Sequence, residues 1–187
     1  MTGPRRILAG LLALVAAGCA SGPWAPAVGR YTSTDHRFSV ELPPGWMRLT
    51  AAPGLLATTD GLALQQIAVV RLDVGRPLRH TKKTLARDMS PLEAAEVLLD
   101  DLAADPAVLA FALEESAPVT VGGLPGFRAR FTSKTADGLR LRTLYYGLVA
   151  GQWIYVLRYT AAERYYFDKD LAVFEQVVAS FRPAAGS

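Results

Sequence analysis

The amino-acid sequence predicts an α+β domain, an antiparallel β-sheet flanked by α-helices in an αβα sandwich. Three observations carry that prediction. Apolar residues alternate with polar ones over Phe38, Val40 and Leu42, the period of a half-buried strand. A long stretch from Val119 to Thr160 is punctuated by Asp137-Gly138 and Ala150-Gly151, dipeptides that suit hairpin turns. Two further stretches, opening near Ser90 and Asp168, repeat apolar residues at helical spacing. With 187 residues, 51% of them hydrophobic and 20% charged, the chain is long and apolar enough for one domain with a sizeable core.

The amino-terminal 18 residues read as an export leader. Arg5 and Arg6 make a positive start, Ile7 to Ala17 carry no charge, and small residues surround Cys19. Such a run is too short to span a bilayer, which takes roughly 20 apolar residues, and suits a signal peptide. Ala17-Gly18-Cys19 resembles a bacterial lipobox, which implies a lipid anchor on Cys19, with palmitate among the acyl groups added there. Ala16 stands where that pattern prefers Leu, Val or Ile, so ordinary cleavage near Ala20 stays open as the alternative. Cys19 is the only cysteine and has no disulfide partner, which favours lipidation. Removing the leader takes away two of the 20 basic side chains and none of the 17 acidic ones. The mature chain is then near neutral and has no general electrostatic attraction to nucleic acid.

Residues 19–29, rich in Pro, Gly and Ala, read as a tether, and the folded domain is expected over 30–183 with a tail at 184–187. Pro43-Pro44-Gly45 is expected to end the first strand. Shorter strands follow over Leu55 to Thr59 and Gln65 to Val74. Ser90-Pro91-Leu92-Glu93 combines a cap, a proline at the first helical position and a capping box. Leu92, Ala95, Leu99 and Leu102 then form the apolar face of a helix whose other face holds Glu93, Glu96 and Asp100. Asp105-Pro106 ends it.

Two-residue turns at Asp137-Gly138 and Ala150-Gly151 would set Phe131 opposite Leu144 and Leu144 opposite Leu157. They would also set Ala129 opposite Tyr146, Tyr146 opposite Tyr155, and Leu148 opposite Trp153. One face of the meander becomes apolar, as cross-strand pairing over a core requires. The other face carries Arg128, Arg130, Lys134 and Arg158 beside Tyr145, Ile154 and Val156. Leu171, Phe174, Val177, Val178 and Phe181 form the apolar stripe of a closing helix stopped by Pro183.

"FSVELPPGW", "VTVGGLPGFRARF", "YYGLVAGQWIYVLRYTA" and "VFEQVVASFRP" together resemble the PsbP-like family. That family includes the extrinsic PsbP protein of photosystem II, a Ran-binding nuclear transport factor and many small bacterial lipoproteins. The resemblance spans most of residues 30–183 and consists of strand and turn patterns. It implies an antiparallel sheet with helices on both sides, and a binding or assembly role. No functional residue of the family carries over, because no site motif matches.

The chemistry-bearing patterns point the same way. Two histidines, His36 and His80, and one cysteine lack the usual spacing of a zinc site. Asp100, Asp101 and Asp105 read as a solvated helix face. No Gly-x-Ser-x-Gly elbow occurs, and Asp35 and His36, adjacent in an extended segment, would point apart. "VGGLPGF" reads as a turn at Pro125-Gly126 and not as a phosphate loop, because a strand follows it. No catalytic residue, metal or cofactor is therefore expected.

Two basic groups remain. Arg76, Arg79, His80, Lys82, Lys83 and Arg87 crowd one loop, an exposed connection or a contact for an anionic partner. Arg128 and Arg130 are expected to pair with Glu93, Glu96 and Asp100 if the middle helix covers them. The functional expectation is a membrane-anchored envelope lipoprotein, facing the periplasm or the cell surface. Its non-enzymatic domain would bind or help assemble an envelope protein, with Arg76, Arg79, His80, Lys82, Lys83, Arg128 and Arg130 as candidate contacts. The alternative is a small-molecule or lipid carrier or sensor with a pocket between sheet and closing helix, walled by Trp153, Tyr155 and Tyr146.

Overall fold

A computed structural model describes residues 22–184; the leader and Cys19 lie outside the described residues. In chain order the elements are β1 (Trp24–Ser33), β2 (Phe38–Leu49), β3 (Leu55–Thr58), β4 (Gln65–Asp73), α1 (Pro91–Ala103), β5 (Leu109–Val121), β6 (Leu124–Lys134), β7 (Arg140–Ala150), β8 (Trp153–Ala162), α2 (Tyr166–Ser180) and β9 (Arg182–Pro183). The strands form one sheet in the order β1-β2-β3-β4-β8-β7-β6-β5, with β9 beside β2. Every pairing is antiparallel. A helix covers each face, which is the expected αβα sandwich.

Each face has its own core. Phe38, Val69, Leu144, Tyr155, Leu157 and Tyr159 meet Phe174, Val177 and Phe181 on the α2 side. Phe127, Ala129, Phe131, Tyr145, Ile154 and Val156 meet Ala94, Ala95, Leu98 and Leu99 on the α1 side. Alternate residues of β7 and β8 feed the two cores, so these central strands are apolar on both faces.

The β6–β7 register departs from the expected one. The structure pairs Arg130 with Leu144 and Phe131 with Thr143, one residue from the two-residue-turn expectation. The connection contains one residue more. Gly138 N–H donates to Thr135 O at 3.0 Å, Thr135 N–H donates to Leu139 O at 3.0 Å, and Gly138 has φ 86°. These are the marks of a tight turn followed by a left-handed bulge residue. A one-residue slip exchanges the faces of a strand, so Phe127, Ala129 and Phe131 lie under α1 and not beside Tyr146. The β7–β8 turn is Gly151-Gln152, giving Leu148 opposite Tyr155 and Tyr146 opposite Leu157. That shift is two residues, and the expected faces of β7 and β8 survive it.

Other expectations also change. Pro43-Pro44-Gly45 does not end its strand; β2 continues to Leu49, and the register with β1 jumps between Ala27 and Gly29 to absorb those residues. Among the described residues the first strand starts at Trp24, inside the stretch read as a tether, because Trp24 to Ala27 pair with Trp46 to Leu49. Pro125-Gly126 is strand; the turn is Gly122-Gly123, with φ of 60° and 84°. Strand β5 was not anticipated as a whole. Its register shifts twice, which erases the regular alternation a sequence would show.

Glycine substitutions separate backbone strain from crowding. Gly138 has open space where a Cβ would lie, whereas a Cβ on Gly54 (φ 73°) would come 2.2 Å from Val69 O. Gly138→Ala is expected to cost about 1 kcal/mol, the left-handed backbone penalty alone. Gly54→Ala should cost clearly more, read as a larger drop in urea midpoint at unchanged m-value. Equal losses would refute the crowding at Gly54.

Candidate functional site

Helix α1 begins as its sequence dictates. Glu93 N–H donates to Ser90 Oγ at 3.3 Å and Ser90 N–H donates to Glu93 Oε2 at 2.7 Å, with Pro91 at the first turn. Ala94, Ala95, Leu98 and Leu99 are its buried stripe. Leu92, expected on that stripe, is 46% exposed.

The basic loop is folded onto this helix. The carboxylate Oδ1 of Asp101 accepts from His80 N–H and Thr81 N–H, both at 2.8 Å, and from Thr81 Oγ1 at 3.0 Å. Lys83 Nζ lies 2.6 Å from Asp100 Oδ2, and His80 Nε2 lies 3.5 Å from Asp105 Oδ2. The three aspartates read as a solvated face are therefore the clasp of the loop. Spacing alone could not show this, since the partners stand 17 to 25 residues away in sequence. Arg76 pairs with Asp73 at 3.6 Å, and Lys82 Nζ donates to Arg79 O at 2.7 Å. Arg79 and Arg87 form no ion pair among the described residues.

Two clefts flank α1. One, of about 450 Å³, runs between its second half, at Leu98, Asp101 and Leu102, and the loop carrying Arg76 and Arg79, with Tyr145 also lining it. Burial pushes the Tyr145 phenol above its ordinary range, so it stays a neutral hydroxyl at physiological pH. The other, of about 370 Å³, lies at the start of α1 against β6, β7 and β8.

Arg128 and Arg130 are elsewhere, on the opposite face. They do not pair with Glu93, Glu96 or Asp100, because the β6 register turns them away from α1. Arg128 meets Glu115 at 2.5 Å and Glu175 at 4.0 Å. Arg130 meets Glu114 at 3.0 Å and Glu115 at 3.3 Å. Arg142 extends the ladder to Glu114 and Glu163. The candidate contacts thus separate: the loop residues border a cleft, while Arg128 and Arg130 belong to a cross-strand charge lattice.

Nor does the space under α2 form the expected pocket. Tyr155 is fully buried with its hydroxyl donating to Arg37 O at 2.9 Å. Tyr146 donates to Glu175 at 2.7 Å, and Trp153 is capped by the Arg71 guanidinium 3.7 Å from its ring centre. Aromatic rings fill that layer. Asp35 and His36 sit in the tight turn between β1 and β2 and not in an extended segment. Burial, aided by Arg71, lowers the His36 pKa, so that imidazole is not a cationic contact.

The Asp101 clasp is testable by pH. Burial alone would raise its carboxyl, but the hydrogen bonds from Thr81 and His80 outweigh it and hold the group below the ordinary carboxylate range. A depressed folded pKa lends stability that is full above about pH 4 and is lost as the pH falls through the folded value. Asp101→Ala should flatten that acid limb and speed amide hydrogen exchange at His80 and Thr81. Unchanged exchange at both amides would refute the clasp.

No family model and no curated protein matches the sequence. Solved structures do match. Cyanobacterial PsbP from Synechocystis superposes with a TM-score of 0.57 at 15% identity, over 89% of this chain and 95% of that one. LpqN, involved in cell envelope biogenesis of Mycobacterium tuberculosis, gives 0.58 at 13% identity over 86% and 90%. The Ran-binding protein Mog1p of Saccharomyces cerevisiae gives 0.55 at 11% over 85% and 96%. With its antiparallel sheet held between two helices, the chain has the PsbP-like fold.

Proposed function

We propose that this protein is a lipoprotein of the bacterial cell envelope, anchored through Cys19, whose non-enzymatic domain docks an acidic protein partner. The observation that carries the docking surface is the clasped basic loop. Asp100, Asp101 and Asp105 hold its backbone, Lys83 and His80 against α1, which leaves Arg76 and Arg79 at the border of the 450 Å³ cleft. A surface loop preorganised by partly buried hydrogen bonds loses less entropy on binding than a free one. Among the described residues Arg79 has no carboxylate of its own to release first, and arginine is favoured at interface hot spots. The likeness of fold to LpqN, which is involved in cell envelope biogenesis, and to the Ran-binding Mog1p supports a binding role outside catalysis.

Two experiments test the proposal. Metabolic labelling with a palmitate analogue should mark the wild-type chain and not Cys19→Ser; equal labelling would defeat the anchor. For docking, Arg76→Glu/Arg79→Glu should reduce crosslinked partner recovered from envelope at least tenfold at unchanged thermal stability, whereas Arg128→Gln/Arg130→Gln should not. Recovery insensitive to the loop charges would remove the loop from the interface.

A further inference from the structure

The second cleft has a different chemistry from the first. It lies between the start of α1 and strands β6, β7 and β8, with Met89 and Pro91 on one side and Val149 and Ile154 on the other. Its lining includes Gly126 and Gly147, diagonal neighbours on the β6–β7 ladder, where Gly126 stands opposite Leu148 and Phe127 opposite Gly147. The Phe127 ring occupies the place a Cβ on Gly147 would take, so glycine at 147 is what lets that ring lie over β7 as part of the apolar lining. A separate shallow hollow shares Pro91, Pro125 and Gly126 with it and is also lined by Pro118 and Gly123. At about 370 Å³ the second cleft falls within the range of small-ligand sites.

Its polar equipment is sparse. Arg87 is the only charged residue lining it; it is exposed and forms no ion pair among the described residues. The proline walls offer no N–H, and the backbone of Gly126 and Leu148 is already paired within the sheet. An extended peptide would therefore find few partners for its own backbone groups, each of which costs free energy when buried unpaired. An alkyl chain has no such groups. A single unneutralised guanidinium beside an apolar trough complements one anionic head, and a carboxylate suits its fork.

We propose that this groove binds the alkyl chain of a single-chain fatty carboxylate, with Arg87 on its head group. This goes beyond the partner docking proposed above and uses the other side of α1. Each added methylene that enters the trough should tighten binding by about fourfold, until the trough is full.

The test is calorimetric titration of the full-length chain with octanoate, decanoate and dodecanoate below their micellar concentrations. Decanol and decyltrimethylammonium serve as neutral and cationic controls, and amide shifts locate the site. Saturable one-to-one binding that strengthens with chain length and moves the amides of Gly126, Gly147 and Val149 is expected. Arg87→Glu should weaken decanoate at least tenfold and decanol less than twofold, while Val149→Trp, which fills the trough, should abolish both. Circular dichroism of each variant separates loss of site from loss of fold, and Arg87→Lys, which keeps the charge but not the planar fork, should retain part of the decanoate affinity that Arg87→Glu loses. Equal affinity for decanoate and decyltrimethylammonium would overturn the proposal, as would non-saturable uptake or shifts confined to other faces. Concentration-dependent dimerisation mapping to the same amides would overturn it in favour of a second copy of the chain.

Discussion

The register between β6 and β7 is the constraint on which the rest of this structure depends. It is set by one left-handed glycine, Gly138, in the connection from Thr135 to Leu139. One residue fewer there would send Phe127, Ala129 and Phe131 to the α2 side and leave α1 over a row of arginines. With the bulge in place, Phe127 stacks on Tyr145 at 5.9 Å and Phe111 packs on Phe131 at 4.9 Å, and α1 has an apolar bed. Arg128 and Arg130 then meet Glu114 and Glu115 of β5 across the opposite face. Both clefts beside α1 exist because the helix rests on that bed.

The two helices differ in what holds them. Helix α2 buries Phe167, Phe174, Val177 and Val178 in a layer continuous with Phe38, Tyr155 and Phe181, so area burial dominates. Helix α1 presents small residues, Ala94 and Ala95, beside Leu98 and Leu99, and gains part of its hold from polar contacts to the loop before it. Carboxylates at its carboxy-terminal end are unfavourable to the helix dipole. Here they are compensated, because Asp100 and Asp101 bind the backbone amides and the lysine of the loop. Helix and loop therefore stand or fall together, and the shape of the basic cleft depends on both.

Much of the fold was legible in the sequence where the signal is local. The capping box at Ser90 and Glu93 is a property of four neighbours, and it forms as expected. The alternation at Phe38, Val40 and Leu42 likewise reports its own strand. Register was not legible, since Asp137-Gly138 fits both a two-residue turn and a bulged one, and an apolar row can be assembled either way when β7 and β8 are apolar on both faces. The candidate site was half legible. The basic run was visible, but the three aspartates that organise it belong to another element, and helical spacing alone marks them as solvent-facing. The groove at Arg87 was invisible, because its lining is drawn from α1, β6, β7, β8 and the loop before α1, which only the fold brings together.

The early start of β1 has a consequence for reach. Trp24 is already paired with Leu49, so under the anchoring proposed at Cys19 the stretch up to Trp24 could span at most about 18 Å even if fully extended. That reach is shorter than the width of a sheet whose path holds eight strands, about 34 Å at the usual inter-strand spacing. Under that proposed anchoring, the sheet edge at β1 would ride close against the lipid headgroups, and a partner would be met within a thin layer above the bilayer.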